Sequence, residues 1–210
     1  MLTDQELEAR YAYDTAQLAD HYEGVFTPEE VAGAVRIARE HLEKQSTVTD
    51  FLPLLVSRMA KEGLVARGQA EGRITKALPE ILFVSENNSA RSHMAAALCQ
   101  SLADGKVNVR CAGLHPRGGL SPDVVTVLAE RGIEVKHPYP FPFTSSLVGA
   151  ADIVVTLGVP EFYEFPGKVW VNWEIPTVEG EDLQVVRDVA DELERRIMEL
   201  LNERVLSTAA

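Results

Sequence analysis

Apolar residues follow two different rhythms along this chain. Over the first 70 or so residues they recur at helical spacing: Leu7, Tyr11, Leu18 and Tyr22 near one face, then Val31, Val35, Ile37, Ala38 and Leu42, then Phe51, Leu54, Leu55, Met59 and Leu64. Start signals precede these sets. Thr3-Asp4-Gln5-Glu6 has the form of a capping box, and Thr27-Pro28-Glu29-Glu30 repeats it with proline at the first helical position and Phe26 placed as a staple. The third helix is expected from Thr49-Asp50, with Pro53 in its first turn, where the missing N–H is not needed. Gly24 separates the first two helices. Gly68 and Gly72 with the polar residues between them mark either a linker or a helix running on through Gln69 and Glu71. A small three-helix bundle over residues 1–75 is predicted.

From Pro79 the rhythm changes to short apolar runs alternating with helical patterns, which predicts a parallel α/β sheet over residues 76–210. Ile81 to Val84 is a first strand, followed by a helix from Arg91 to about Leu102 and a second strand at Val107 to Cys111. Gly113 to Leu120 is a loop, and Ser121-Pro122-Asp123 opens a helix through Val124, Val127 and Leu128 that Gly132 closes. His137 to Phe143 holds three prolines among aromatics and is expected to be an ordered surface loop. Asp152 to Leu157 and Lys168 to Trp173 complete the strands. Glu181 to about Val205 is a long amphipathic helix.

Chemistry concentrates at Ile81 to Ser92. A strand that passes through small polar residues into a helix N-terminus gathers backbone N–H groups and the positive end of a helix dipole, and that suits an anion. Arg91 adds a planar fork of donors that matches two oxygens of a phosphate-like group. A plain strand-to-helix turn with a serine cap and a surface arginine is the alternative.

Charge and composition narrow the partners. Lys+Arg is 20 against Asp+Glu 32, a net charge of -12 that opposes nucleic-acid backbones and anionic membrane surfaces. No apolar run approaches the roughly 18 residues of a membrane span, and the acidic start lacks a secretion-signal pattern, so a cytoplasmic location is expected. Cys99 and Cys111 form no C-x-x-C and are expected as reduced core thiols. No cofactor or metal is expected.

The α/β part resembles the low-molecular-weight tyrosine phosphatases and their arsenate reductase relatives. Their loop, V-C-x5-R-S between the first strand and first helix, matches Val84-Ser85, Glu86 to Ala90 and Arg91-Ser92 in length and context. Ala112-Gly113, Thr144, Ala151 to Thr156, Pro166-Gly167-Lys168 and Trp173 are similar to the actinobacterial arsenate reductase branch, over about residues 79 to 203. The resemblance implies a three-layer α/β domain of the low-molecular-weight phosphatase type after the helical bundle. It also implies a cradle for phosphate, sulfate or arsenate made by Ser85, Glu86, Asn87, Asn88, Ser89, Ala90, Arg91 and Ser92, and homodimers formed through the N-terminal helices.

Three departures accompany the match. Ser85 stands where the family has the cysteine whose thiolate attacks phosphorus or arsenic, and a serine hydroxyl needs an adjacent base to do so. His93 is nearest in sequence and is expected to be structural or solvent-facing. Thr177-Val178 occupies the position of the family's Asp-Pro, so the general acid is missing there; Glu174, Glu179, Glu181 and Asp182 lie nearby and read as a solvated acidic loop and helix start. Gly158 to Glu164 lacks the relay cysteines of several reductase branches. In the loop, Asn87 replaces a common glycine, and Glu86 adds a charge that opposes a dianion. The favoured reading is a catalytically degenerate homologue that keeps the oxyanion loop. One alternative is an active arsenate reductase or tyrosine phosphatase carrying a cysteine-to-serine change at 85, and another is a dimeric interaction protein that uses the fold as a scaffold.

Overall fold

Three helices account for the N-terminal unit, residues 1–75, among the residues that the computed structural model describes (3–44, 51–135, 139–159 and 168–206). They are α1 (Asp4–His21), α2 (Pro28–Glu43) and α3 (Leu52–Ala70). Both capping boxes form. Thr3 Oγ accepts from the Glu6 amide at 3.3 Å while Glu6 Oε2 accepts from the Thr3 amide at 2.8 Å, and Thr27 and Glu30 repeat this at 3.2 and 2.9 Å. Tyr11, Leu18, Val31, Val35, Leu42, Val56, Met59 and Leu64 are buried, whereas Ile37, Phe51 and Leu54, expected on the same apolar faces, are exposed. Phe26 is buried edge-on to Tyr22 at 5.8 Å between centroids. The predicted start of α3 at Thr49-Asp50 lies outside the described residues. Gly68 is inside α3 rather than in a linker. A Cβ there would meet Ile74 Cδ1 at 2.6 Å, so the glycine admits Ile74 against the helix, and the chain turns away at Gly72, whose φ is 70°.

The second unit, residues 76–210, is built on a four-stranded sheet in the order β2-β1-β3-β4, every pair parallel. Its elements are β1 (Glu80–Ser85), α4 (Arg91–Leu102), β2 (Asn108–Gly113), α5 (Pro122–Glu130), α6 (Ser145–Ala150), β3 (Ile153–Leu157), β4 (Val169–Trp173) and α7 (Leu183–Leu201), which ends in a π turn over Asn202–Leu206. All six residues of β1 are buried, which explains its unbroken apolar run. Ile81, Phe83, Ile153 and Val155 pack in one core with Met94 and Leu98 of α4, Val124 and Leu128 of α5, and Val186, Leu193 and Ile197 of α7. Leu82, Val84 and Val154 are equally buried outside that cluster, as are Leu147 and Val148 of α6, which contacts β1. The sheet is therefore covered on two faces.

Two features were not evident from the pattern. Helix α6 is too short for a period to show; Thr144 caps it, its hydroxyl accepting from the Leu147 amide at 3.3 Å. His137 and Pro138 lie outside the described residues, but the rest of the proline-rich segment does more than cover the surface. Tyr139 and Phe141 are buried, Gly113 N–H donates to the Phe141 carbonyl, and Phe143 N–H donates to the Gly113 carbonyl, each at 2.8 Å. The end of β2 is thereby fixed beside the loop that follows β1. Among the described residues no helix is long and apolar enough to cross a membrane.

Candidate oxyanion-binding site

β1 ends at Ser85 and α4 begins at Arg91, so the five residues from Glu86 to Ala90 leave the central strand at the carboxyl edge of a parallel sheet. The segment after β2 fastens this loop from outside. Leu114 N–H donates to the Ser85 carbonyl at 3.1 Å, His115 to Glu86 at 2.8 Å, Arg117 to Asn87 at 3.2 Å and Ser121 to Ser89 at 2.8 Å. Across a trans peptide each carbonyl points opposite to the next N–H, so the amides of Glu86, Asn87, Asn88 and Ala90 turn to the other side of the loop. The Asn88 amide reaches Ser85 Oγ at 3.3 Å, while those of Glu86, Asn87 and Ala90 have no protein acceptor among the described residues. Successive free amides of this kind form a concave anion site. Ser121, predicted as a cap for α5, makes no side-chain cap bond; its N–H serves the loop instead.

Asn88 shapes the interior. Its φ is 51°, a left-handed conformation that asparagine tolerates better than most residues, and it is fully buried. Its Nδ2 donates to Ser92 Oγ at 2.7 Å and its Oδ1 accepts from the Phe141 amide at 2.7 Å. Gly113 gives it room, since a Cβ there would lie 2.9 Å from Asn88 Cβ and 3.0 Å from the loop backbone. Ser85 and Ser92 share a hydrogen bond of 2.8 Å between their hydroxyls. The Ser85 hydroxyl thus has a hydroxyl and an amide as partners, and no histidine or carboxylate to take its proton.

Arg91 is 9% exposed, and its guanidinium is oriented by backbone: Nη1 donates to the Leu157 carbonyl at 3.1 Å and the Ile175 carbonyl at 3.0 Å. Its Nε is buried without a hydrogen-bond partner. Gly158 makes this placement possible, because a Cβ at 158 would stand 2.3 Å from Nη1.

The rim is polar. Glu86 pairs with His115 Nδ1 at 2.8 Å and the Asn87 side chain accepts from Arg117 Nε at 3.0 Å, both in exposed positions where such contacts contribute little stability. Thr177 does not enter the loop network directly. Its hydroxyl donates to Glu179 Oε2 at 2.6 Å, and Glu179 Oε1 accepts from Ser89 Oγ at 2.8 Å. Burial pushes the Glu179 carboxyl up, but the Thr177 and Ser89 hydrogen bonds outweigh it and hold the group below its usual value. The acidic segment was expected to be solvated throughout. Glu174, Glu179, Glu181 and Asp182 are all exposed, as expected; Glu179 is set apart by its hydrogen bond to Ser89 of the loop. Its separation from the loop by 90 positions in sequence left no local signal.

His93, expected to be structural or solvent-facing, is buried with Nδ1 at 3.5 Å from Cys111 Sγ. Cys99 is fully buried in the core, and burial pushes its thiol up to about 12; Cys111 is only half-buried at the sheet edge. Relay positions from 160 to 164 lie outside the described residues, as does Pro166-Gly167. Among the described residues no group of three or more His, Cys, Asp or Glu side chains could hold a metal ion. Sequence reasoning did not find His115, Arg117, Phe141, Gly158 or the Ile175 carbonyl, all brought to the loop from other strands' ends.

Known proteins share this architecture. Residues 80–208 match the family model for low molecular weight phosphotyrosine protein phosphatase, and residues 12–68 match that for the protein-tyrosine-phosphatase-like N-terminal domain. A thioredoxin-dependent arsenate reductase of Corynebacterium glutamicum superposes with a TM-score of 0.83 at 33% identity, covering 94% of this chain and 97% of that one. A putative arsenate reductase of Halobacterium salinarum is 26% identical over 58% of this chain and 89% of its own length. A cysteine-to-serine mutant of the arginine phosphatase YwlE, with a phosphorylated active-site serine, is 27% identical with a TM-score of 0.51, over 60% of this chain and 97% of that one. With its family-model match running from the start of β1 through α7, the chain belongs to the low molecular weight phosphotyrosine protein phosphatase family and carries that family's phosphatase-like N-terminal domain in front.

Proposed function

We propose that this chain binds a tetrahedral oxyanion of the phosphate, sulfate or arsenate type at residues 85–92 and is catalytically degenerate for thiol chemistry. The observation that carries the reading is Arg91. Two backbone carbonyls fix one of its nitrogens while the buried Nε is left without a partner beside a loop whose amides are also unpaired. Unpaired buried donors cost about 1–3 kcal/mol each, more when charged, and a bound oxyanion removes that cost through charge-assisted hydrogen bonds. Binding without turnover follows from Ser85, whose hydroxyl has no neighbouring base and whose alkoxide is far less accessible at neutral pH than a thiolate.

Phosphate, sulfate and arsenate are each expected to raise the melting temperature of the full chain. Ligand at about 100 times its Kd adds about 2.7 kcal/mol. Arg91→Ala should fold and show no rise. A melting temperature of the unmodified chain that does not respond to any of the three anions at tens of millimolar rejects the reading.

One observation favours a second reading, in which Ser85 itself takes a phosphoryl group. The related YwlE mutant has a serine in place of cysteine and carries phosphate on it. Transfer would form the Ser85 Oγ–P bond, break the donor's P–O bond and leave the serine proton on the departing oxygen. Intact mass after incubation with phenyl phosphate separates the two readings: an added phosphoryl group on Ser85 favours the second, and an unchanged mass the first.

A further inference from the structure

We propose that Glu179 serves this site as the proton donor to a leaving oxygen, in the place that Thr177 leaves without a carboxyl group. The proposal rests on the oxyanion-binding reading above. One carboxylate joins the two positions that matter: Oε1 accepts from Ser89 Oγ in the wall of the loop at 2.8 Å, and Oε2 accepts from Thr177 Oγ1 at 2.6 Å. The segment that carries it is anchored, since Val178 is buried in the main core and Gly180 turns the chain at φ 82° before α7. Glu179 is exposed, as are its acidic neighbours Glu174, Glu181 and Asp182, and its bond to Ser89 distinguishes it from them.

Cleaving a phosphate ester expels an alkoxide or phenolate, and a carboxyl positioned beside the phosphoryl site lowers that barrier by protonating the oxygen as it leaves. In the empty site the Thr177 and Ser89 hydrogen bonds keep Glu179 ionised, with Arg91 contributing in the same direction. A dianion placed in the loop pushes the other way, because a like charge nearby favours the protonated form. Ligand binding thus raises the proton affinity of Glu179. What this chain lacks, with Ser85 in the loop, is a nucleophile that can use it.

With Ser85 replaced by cysteine, a thiolate stands at position 85. An S–P bond forms as the ester P–O bond breaks, and the Glu179 proton passes to the leaving oxygen. In the return step a water oxygen attacks phosphorus, its proton goes to the Glu179 carboxylate, and the S–P bond breaks to release phosphate and the thiolate.

The test uses the full chain with Ser85→Cys, assayed on phenyl phosphate, whose leaving group needs a proton, and on p-nitrophenyl phosphate, whose leaving group needs far less help. Hydrolysis of both is expected. Adding Glu179→Gln should lower kcat on phenyl phosphate by on the order of 100-fold, with a small effect on p-nitrophenyl phosphate, and should remove the limb of the pH–kcat profile that reports a protonated acid. Glu181→Gln in the same background should change neither rate. Equal losses on the two esters would show a structural role and overturn the proposal, and so would a Ser85→Cys chain that gains a phosphate-induced melting shift but hydrolyses neither ester. A missing phosphate shift in the unmodified chain counts against the binding reading instead.

Discussion

Gly158→Ala is expected to destabilise the C-terminal unit by about 2–5 kcal/mol and to abolish oxyanion binding. A Cβ at residue 158 would stand 2.3 Å from Arg91 Nη1 and 2.7 Å from the Ile175 carbonyl oxygen, and the residue has a φ of 61°. Overpacking of this kind typically costs about 1–3 kcal/mol, and a left-handed alanine adds roughly 1–2 kcal/mol. The flexible partner in the clash is the guanidinium, so it is the group that moves. It then gives up the Leu157 and Ile175 carbonyls and with them its orientation toward the loop. Both tryptophans, Trp170 and Trp173, lie in the C-terminal unit, so fluorescence-monitored urea unfolding reports that unit alone. A midpoint equivalent to less than about 1 kcal/mol of destabilisation, with the phosphate response intact, would contradict the prediction.

Asn88→Ala should be comparably damaging, at about 3 kcal/mol, with weakened anion binding. The substitution leaves the Phe141 amide without its acceptor and removes the Nδ2 donor from Ser92 Oγ, all in a fully buried position where an unsatisfied group costs about 1–3 kcal/mol. It also places alanine at φ 51°. Asn88→Gly separates the two causes. Glycine accepts the backbone conformation but makes neither side-chain bond, so it should recover only about 1 kcal/mol of the loss. If glycine restored full stability in the same urea experiment, the side-chain bridge would be irrelevant and the effect would be backbone strain alone.

How much of this was legible in the sequence varies with range. The capping boxes at Thr3 and Thr27 are local, and both formed as written. The unbroken apolar runs of β1 and β3 announced strands covered on two faces, and the structure pairs them in parallel at the sheet's centre. Gly68 was harder. Its role depends on Ile74 folding back onto α3, so its composition suggested a linker as readily as a helix. Helix α6 carries too few residues to show a period. At the site, Ser85 to Ser92 could be picked out because strand, loop and helix start are contiguous. The carboxylate of Glu179 could not, because only the return of the chain after β4 brings it to Ser89.

The sequence by itself determined the helical and α/β rhythms, the loop between β1 and α4, and the residue types in it, from Ser85 to Ser92. Those are properties of neighbouring residues and of residue type. Tertiary structure alone decided which way the loop amides turn, through the carbonyls tied to residues 114–121, and where Arg91 is held, through the carbonyls of Leu157 and Ile175. It also decided that one residue of the exposed acidic segment, Glu179, is hydrogen-bonded to Ser89 in the wall of the site. Backbone hydrogen-bond direction and long-range contact depend on how separate strand ends converge at the carboxyl edge of the sheet, and no local pattern encodes that convergence.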